Sequence, residues 1–241
     1  MAEAELIVIV PSRGRPQAVA RTVEAWRATG AYVDGARLVY AVDEDDPTAD
    51  GYRQAERDAG SLVRLHWVPR WAPMVHKLDG VARVLAVEAM PYALGFAGDD
   101  HVPRTPGWAG RYLDALRELG TGIVYCDDGY QGANLPTQWA MTTDIVAALE
   151  RMVPAPVEHL YCDNAILDLG RGAACIRYLD DVLIEHMHPA AGKASSDDQY
   201  RRVNGREQYR RDRAAYRQWL AGGLSADVTK VRALRQKVNN G

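Results

Sequence analysis

The chain has 241 residues, of which 47% are hydrophobic and 25% charged, and its formal net charge is −3 at pH 7. This composition excludes a disordered or fibrous protein and is sufficient for one large buried core. No run approaches the roughly 20 apolar residues of a membrane-spanning helix, and the acidic start with three unpaired-looking cysteines predicts a cytoplasmic protein without a membrane span.

The first hundred residues alternate apolar strand-like runs with helical segments. Strands are predicted at Leu6–Val10, Leu38–Val42, Leu62–Val68 and Tyr92–Ala97, with helices at Gln17–Thr29, Asp50–Ala59 and Lys77–Ala89. This alternation predicts an α/β fold with a doubly wound, mostly parallel sheet. Because such strands end at one edge, we expect the polar clusters around Ser12, Asp43 and Asp99 to converge on a single crevice.

The second half of the chain is less regular. Helices are predicted at Pro106–Leu119 and Tyr161–Leu169, strands at Gly122–Cys126 and Thr137–Met141, and a hairpin from Cys175–Leu179 and Val182–Glu185. A further helix, a break at Gly222-Gly223 and a final helix follow. The pattern predicts a catalytic domain over residues 1–194 and a basic helical extension over residues 195–241.

Charge is concentrated in that extension. From Ser196 onwards there are 11 Lys and Arg against 5 Asp and Glu, a net charge of +6, which leaves −9 for the first 195 residues. Tyrosines alternate with the arginines, at Tyr200, Arg201, Arg202, Arg206, Tyr209, Arg210, Arg211, Arg213, Tyr216 and Arg217. Such a segment either grips nucleic acid or another anionic acceptor, or docks as a solvated helix on an acidic body.

Two clusters contain side chains suited to a metal ion. Asp99-Asp100-His101 follows the fourth predicted strand, where carboxylates and an imidazole can hold Mn²⁺ or Mg²⁺ against a diphosphate, Mn²⁺ being favoured by the imidazole. Further on, Glu185-His186-Met187-His188-Pro189 places two imidazoles on one side of an extended segment. The alternatives are a solvated turn with an N-cap and a solvated histidine pair.

Together these residues resemble the A-type glycosyltransferase fold, a Rossmann-like α/β domain, and most closely the family-two group of inverting enzymes. The resemblance spans roughly residues 5 to 190 and includes Ile9-Val10-Pro11-Ser12-Arg13-Gly14-Arg15-Pro16, Asp43, Lys77, Gly98-Asp99-Asp100-His101, Asp163 and the His186/His188 pair. It implies that the donor nucleotide sugar is bound by Pro11, Ser12, Arg13, Arg15, Asp43, Lys77, Asp99 and Asp100. It also implies a metal held by Asp100, His101 and a late histidine, His188 being favoured over His186.

By the same resemblance, Asp163 at the start of a predicted helix supplies the general base that deprotonates the acceptor hydroxyl. An aspartate that only caps the helix is the alternative. The loop from Pro11 to Arg15 offers backbone donors, a hydroxyl and guanidinium groups that suit a pyrimidine nucleotide, so a UDP-sugar is the favoured donor. Lys77 either reaches the nucleotide or is an exposed residue.

The predicted function is metal-dependent glycosyl transfer from a nucleotide-diphosphate donor to an acceptor hydroxyl, with inversion. A sugar-nucleotide nucleotidyltransferase and a non-catalytic nucleotide-sugar-binding module are the alternatives. The sequence lacks GxxxxGK[ST] and GxGxxG, which counts against P-loop NTPases and dinucleotide enzymes. Small size and compact loops resemble bacteriophage glycosyltransferases, which would imply the host cytoplasm and a protein or modified DNA as acceptor.

Overall fold

The computed structural model describes residues 4–69, 73–187 and 205–239. Within these ranges the chain forms eight strands, β1 (Leu6–Ser12), β2 (Ala36–Asp43), β3 (Val63–Val68), β4 (Ala93–Phe96), β5 (His101–Pro103), β6 (Ile123–Asp127), β7 (Trp139–Thr142) and β8 (Ile176–His186). The same ranges contain eight α-helices, α1 (Gln17–Ala28), α2 (Ala49–Ala59), α3 (Met74–Glu88), α4 (Trp108–Leu119), α5 (Thr143–Leu149), α6 (Cys162–Gly172), α7 (Arg206–Gly222) and α8 (Leu224–Asn239).

The strands form one mixed sheet in the order β3-β2-β1-β4-β7-β6-β8-β5. Strands β1 to β4 are mutually parallel where they pair, which confirms the doubly wound arrangement predicted for the first half. Strand β7 runs antiparallel to both of its neighbours, and β5 runs antiparallel to β8. The carboxyl ends of β1, β2 and β4 therefore lie at one edge of the sheet.

The continuous apolar run of β1 is explained by burial on both faces of the sheet. Leu6, Val8 and Val10 pack into one core with helices α1, α2 and α4. Ile7 and Ile9 point the other way, into a second core with helices α3, α5, α6 and α8. Because side chains alternate along a strand, a strand covered on both faces cannot include polar residues at either set of positions.

The hairpin predicted over residues 175–185 is wrong, because this segment is the single strand β8. Its first part pairs parallel to β6 and its last part pairs antiparallel to the short strand β5, which the sequence did not predict. The register shifts between Cys126 and Asp127, whose partners are Leu179 and Leu183. The Asp180-Asp181 pair, whose polarity resembles a turn, thus occupies an irregularity within one strand.

Helices α7 and α8 pack on the same side of the sheet as α3, α5 and α6. Trp219, Val228 and Val231 belong to that core, and Asp227 accepts hydrogen bonds from Trp219 Nε1 and Arg151 Nη2, both at 2.9 Å. The predicted boundary at residue 194 lies outside the described residues. In the part of the chain that the structure describes, no helix has the length and apolar character that crossing a membrane requires.

Candidate functional site

A cleft of about 940 Å³ opens at the carboxyl edge of the sheet. It is lined by ten of the eleven residues that the sequence predicts for the site, Pro11, Ser12, Arg13, Arg15, Asp43, Lys77, Asp99, Asp100, His101 and Asp163. The eleventh, His188, lies outside the described residues. The convergence expected for the clusters around Ser12, Asp43 and Asp99 is therefore observed.

Asp43, the last residue of β2, lines the cleft and is buried between two cations. Its Oδ2 accepts hydrogen bonds from Arg13 Nη1 at 2.8 Å and from Lys77 Nζ at 2.6 Å. Lys77 is itself buried, which contradicts the exposed alternative. The other carboxylate oxygen, Asp43 Oδ1, is buried and has no hydrogen-bond partner among the described residues. Leaving a buried acceptor without a hydrogen bond costs free energy, so Asp43 Oδ1 is suited to an N–H donor of a bound ligand.

Asp99 fixes the loop that follows β1 through contacts with Ser12 and Arg15. It is buried, its Oδ2 accepts a hydrogen bond from Ser12 Oγ at 2.6 Å, and its Oδ1 pairs with Arg15 Nη1 at 2.8 Å. Burial raises the pKa of Asp99, and Arg15 and Ser12 oppose that rise. Asp99 thus turns away from its neighbour Asp100 and ties the Ser12–Arg15 loop to the end of β4.

Asp100, His101 and His186 form a group able to hold a metal ion. Each offers a ligand atom, and these atoms lie within 4.8 Å of one another. The pairing of β5 with β8 sets His101 opposite His186, and the two imidazole rings stack with centroids 4.1 Å apart. The late histidine that the structure places here is His186, the less favoured of the sequence pair.

The electrostatics of this group suit a divalent cation. Burial disfavours charge on Asp100, but His101 and His186 more than offset it and hold the pKa of Asp100 well below its usual range. Burial lowers the pKa of His101, which favours the neutral ring, and its buried Nε2 lacks a hydrogen-bond partner within the described ranges. Burial also opposes charge on His186, yet Asp100 and Asp128 raise its pKa to about 9. A cation could replace the His186 proton as the partner of Asp100.

Gly98 is required for the close approach of these ligands. Its backbone N–H donates to His101 Nδ1 at 3.0 Å. A Cβ at this position would lie 2.5 Å from Asp100 Oδ1 and 2.9 Å from His101 Nδ1. Both distances are too short for a side chain, so any other residue would displace the group.

Asp128 is a site residue that sequence reasoning missed. It is buried beneath His186, with Oδ2 3.8 Å from His186 Nδ1, and its backbone oxygen accepts the His186 N–H at 2.9 Å. Its Oδ1 accepts three backbone N–H groups of the following turn, and Oδ2 accepts the hydroxyl of Thr137, which lines the cleft. The available signal was Asp127-Asp128 at the end of strand β6, which resembles Asp99-Asp100 shortly after β4.

Asp163 lies in the first turn of α6 and lines the cleft. The N-cap residue is Tyr161, in a left-handed conformation (φ 65°), so Asp163 is not itself the N-cap. Asp163 Oδ1 accepts the N–H of Asn164 at 2.9 Å. Burial raises the pKa of Asp163, a change that makes the carboxylate a stronger proton acceptor.

The basic C-terminal segment forms one wall of the cleft. Residues from Gly205 to Gln208 and Arg211 line it. Buried Asp212 accepts the backbone N–H groups of Glu158, His159 and Leu160, which also line the cleft. Arg211 Nη1 pairs with Glu158 Oε2 at 3.2 Å. This arginine therefore helps to dock the helix on the acidic body, which is one of the two roles predicted for the basic extension.

No protein-family model and no curated protein matches the sequence. Solved structures do match the fold. The mannosyltransferase PcManGT from Pyrobaculum calidifontis, in complex with GDP-Man and Mn²⁺, superposes with a TM-score of 0.61 at 12% identity, over 97% of this chain and 74% of that one.

A second match is the 1–349 fragment of S. aureus TarS, with a TM-score of 0.55 at 9% identity over 75% of this chain. The chain spans 60% of that fragment. The same fragment in complex with UDP-GlcNAc gives a TM-score of 0.56 at 10% identity, over 83% of this chain and 64% of the fragment. These likenesses establish the A-type glycosyltransferase fold that the sequence predicted.

Proposed function

We propose that this protein is a metal-dependent glycosyltransferase that moves a sugar from a nucleoside-diphosphate donor to an acceptor hydroxyl with inversion. The observation that carries the proposal is the composition of one cleft. The same cavity is lined by three kinds of group. They are a buried carboxylate with one oxygen left for a nucleobase, a carboxylate–imidazole group for a cation, and a carboxylate whose pKa is raised. Complexes of the structural neighbours with GDP-Man and Mn²⁺ and with UDP-GlcNAc support the choice of donor class.

The nucleoside is expected at the Asp43 end of the cleft. Arg13 and Lys77 hold Asp43 Oδ2, so the free Oδ1 has a defined direction and accepts the imide N–H of a uracil. Asp99 orients the Arg15 guanidinium, which together with the backbone of the Ser12–Arg15 loop would bind the phosphates. The preferred donor is a UDP-sugar, and guanine, which also has a ring N–H, is the second candidate.

Asp100, His101 and His186 would hold Mn²⁺ or Mg²⁺, with His188 as a further candidate outside the described residues. A bound divalent cation neutralises the charge that develops on the leaving diphosphate. Asp128 lies against the His186 ring, and its own carboxylate is held by the backbone N–H groups of the adjoining turn. His101 and His186 lie on the paired strands β5 and β8, and the backbone oxygens of Asp100 and Asp128 accept the N–H groups of Met187 and His186, which makes the group preorganised.

Asp163 is the proposed base. The acceptor oxygen attacks the anomeric carbon from the face opposite the diphosphate, its proton passes to Asp163, and the bond between the anomeric carbon and the diphosphate oxygen breaks with both electrons leaving on the nucleotide. Its raised pKa makes Asp163 a stronger proton acceptor than an ordinary aspartate. The nucleoside-diphosphate and the glycosylated acceptor are the products.

The proposal is tested by incubating the protein with UDP-sugars and GDP-mannose in Mn²⁺ and in EDTA, and measuring released nucleotide together with calorimetric nucleotide affinity. Slow metal-dependent release of UDP or GDP is expected, because water substitutes for the acceptor. Tight binding without release would favour the binding module. Pyrophosphate formation from a sugar phosphate and a nucleoside triphosphate would favour the nucleotidyltransferase.

A further inference from the structure

Helix α7 presents four arginines on one exposed face, termed here the arginine stripe. They are Arg206, Arg210, Arg213 and Arg217. Spacings of four, three and four residues place them within an arc of about 60° and along about 16 Å of the helix axis. All four are exposed, and none forms an ion pair or a hydrogen bond with another residue of the described ranges.

The charge of the stripe is not used to attach the helix to the protein. Arg211, on a different side of α7, makes the pairs with Glu158 and Glu207. Asp212 and Trp219 provide the buried contacts of the helix. The stripe is therefore a solvent-facing band of positive charge on a protein whose first 195 residues are net negative.

The stripe leads directly to the proposed base. Arg206 lines the cleft, and the neighbouring Tyr209 is 46% exposed. The ring of Tyr209 lies 5.6 Å from that of Tyr161, which also lines the cleft and precedes Asp163 by two residues. A chain laid along the stripe can thus present one of its units against the two tyrosines beside Asp163.

We propose that the arginine stripe and the Tyr209–Tyr161 pair bind a single-stranded nucleic acid as the acceptor, with a ribose 2′-hydroxyl or the hydroxyl of a modified base as the oxygen that takes the sugar. Arginines pair with phosphodiester oxygens, and tyrosine rings stack on bases irrespective of sequence. An anionic membrane fits less well, because Leu220 is the only large aliphatic side chain that α7 exposes. The acceptor role rests on the proposed glycosyl transfer, whereas the binding surface can be tested without it.

The probe is a fluorescein-labelled oligo(dT) 20-mer, with binding measured by anisotropy in EDTA between 50 and 200 mM KCl. Four phosphate contacts on a single strand predict a slope of about −3 for log affinity against log salt, a roughly 50-fold loss over this range. The test variant carries Arg206→Gln, Arg210→Gln, Arg213→Gln and Arg217→Gln. It should bind at least ten-fold more weakly at 50 mM KCl, with a slope near zero.

The control variant loses the same charge from other exposed positions, through Arg27→Gln, Arg57→Gln, Arg64→Gln and Arg83→Gln. It should retain the wild-type affinity and slope. An equal loss in both variants would overturn the proposal, since net charge alone would then explain binding. Tyr209→Ala should lower affinity about five-fold or more, whereas Tyr209→Phe, which keeps the ring, should bind as the wild type does.

Two further arms separate other ligands and the enzymatic role. Binding to vesicles of equal phosphatidylglycerol and phosphatidylcholine, without binding to oligo(dT), would overturn the proposal in favour of a membrane. Binding inorganic polyphosphate as tightly as oligo(dT) would overturn the role of base stacking. Mn²⁺-dependent UDP or GDP affinity should be the same in the wild type and in a variant with Arg210→Gln, Arg213→Gln and Arg217→Gln, which leaves the cleft-lining Arg206 in place. Failure of the donor site is thus seen separately from failure of the stripe.

Discussion

Asp212 and His159 are 53 positions apart, yet Asp212 Oδ2 accepts the backbone N–H of His159 at 3.1 Å. The same carboxylate accepts the N–H groups of Glu158 and Leu160. One buried side chain of the C-terminal helix therefore fixes the backbone that lines the cleft ahead of α6. The basic segment belongs to the site's architecture as well as to its surface.

Replacing Asp212 should loosen this wall. In Asp212→Ala three partly buried N–H groups lose their acceptor, so we expect a loss of about 2 kcal/mol in the free energy of unfolding, measured with urea. The exposed Asp181→Ala should change it by less than about 0.5 kcal/mol. An unchanged stability in Asp212→Ala would show that water replaces the carboxylate.

Asp163→Asn should retain donor binding and lose transfer. The amide has nearly the same size but cannot take the acceptor proton, so the rate should fall about 10²-fold or more while calorimetric UDP or GDP affinity is preserved. Asp58→Asn, at an exposed position, is the control. Transfer at the wild-type rate in Asp163→Asn would place the base elsewhere.

The two late histidines can be separated by metal affinity. His186→Gln should weaken Mn²⁺ binding, followed by electron paramagnetic resonance, about ten-fold or more, because the ion loses one of its ligands. The parallel variant His188→Gln tests the residue favoured from the sequence. A loss confined to His188→Gln would remove His186 from the proposed group.

The metal-free protein should lose stability between pH 6.5 and 9. His186 has a folded-state pKa raised to about 9 from 6.5, so its protonation stabilises the fold fully below pH 6.5, and this contribution disappears as pH rises through 9. The decrease should be about 3 kcal/mol at most, measured by urea unfolding in EDTA. His186→Gln should flatten this part of the profile, and an unaltered profile would contradict the charge assigned to His186.

Gly98→Ala should disturb the metal group without unfolding the chain. The added Cβ would meet Asp100 Oδ1 at 2.5 Å, so the ligands must separate and Mn²⁺ affinity should fall. Gly80→Ala in α3 is the matched control, because nothing lies within 4 Å of its added Cβ and alanine favours a helix. Equal Mn²⁺ affinity in the two variants would show that the carboxylate rotates aside.

The sequence by itself determined the parallel half of the sheet and the edge at which the site lies. Leu6–Val10 is apolar at every position because both faces of β1 are buried, and polar residues appear only where the strand ends. Ser12, Asp43 and Asp99 therefore had to meet, since right-handed crossovers bring parallel strand ends to the same side. These patterns are local in the sequence, and right-handed crossovers allow only one arrangement of the strand ends.

Only the tertiary structure decided which side chains face one another at that edge. Residues 101–103 have no strand-like pattern of their own, and they form β5 because β8 passes beside them. That pairing stacks His101 on His186, while Ser12 and Arg15 turn Asp99 away from Asp100. Asp212 was likewise hidden, because the backbone N–H groups that it accepts lie 52 to 54 positions away along the chain.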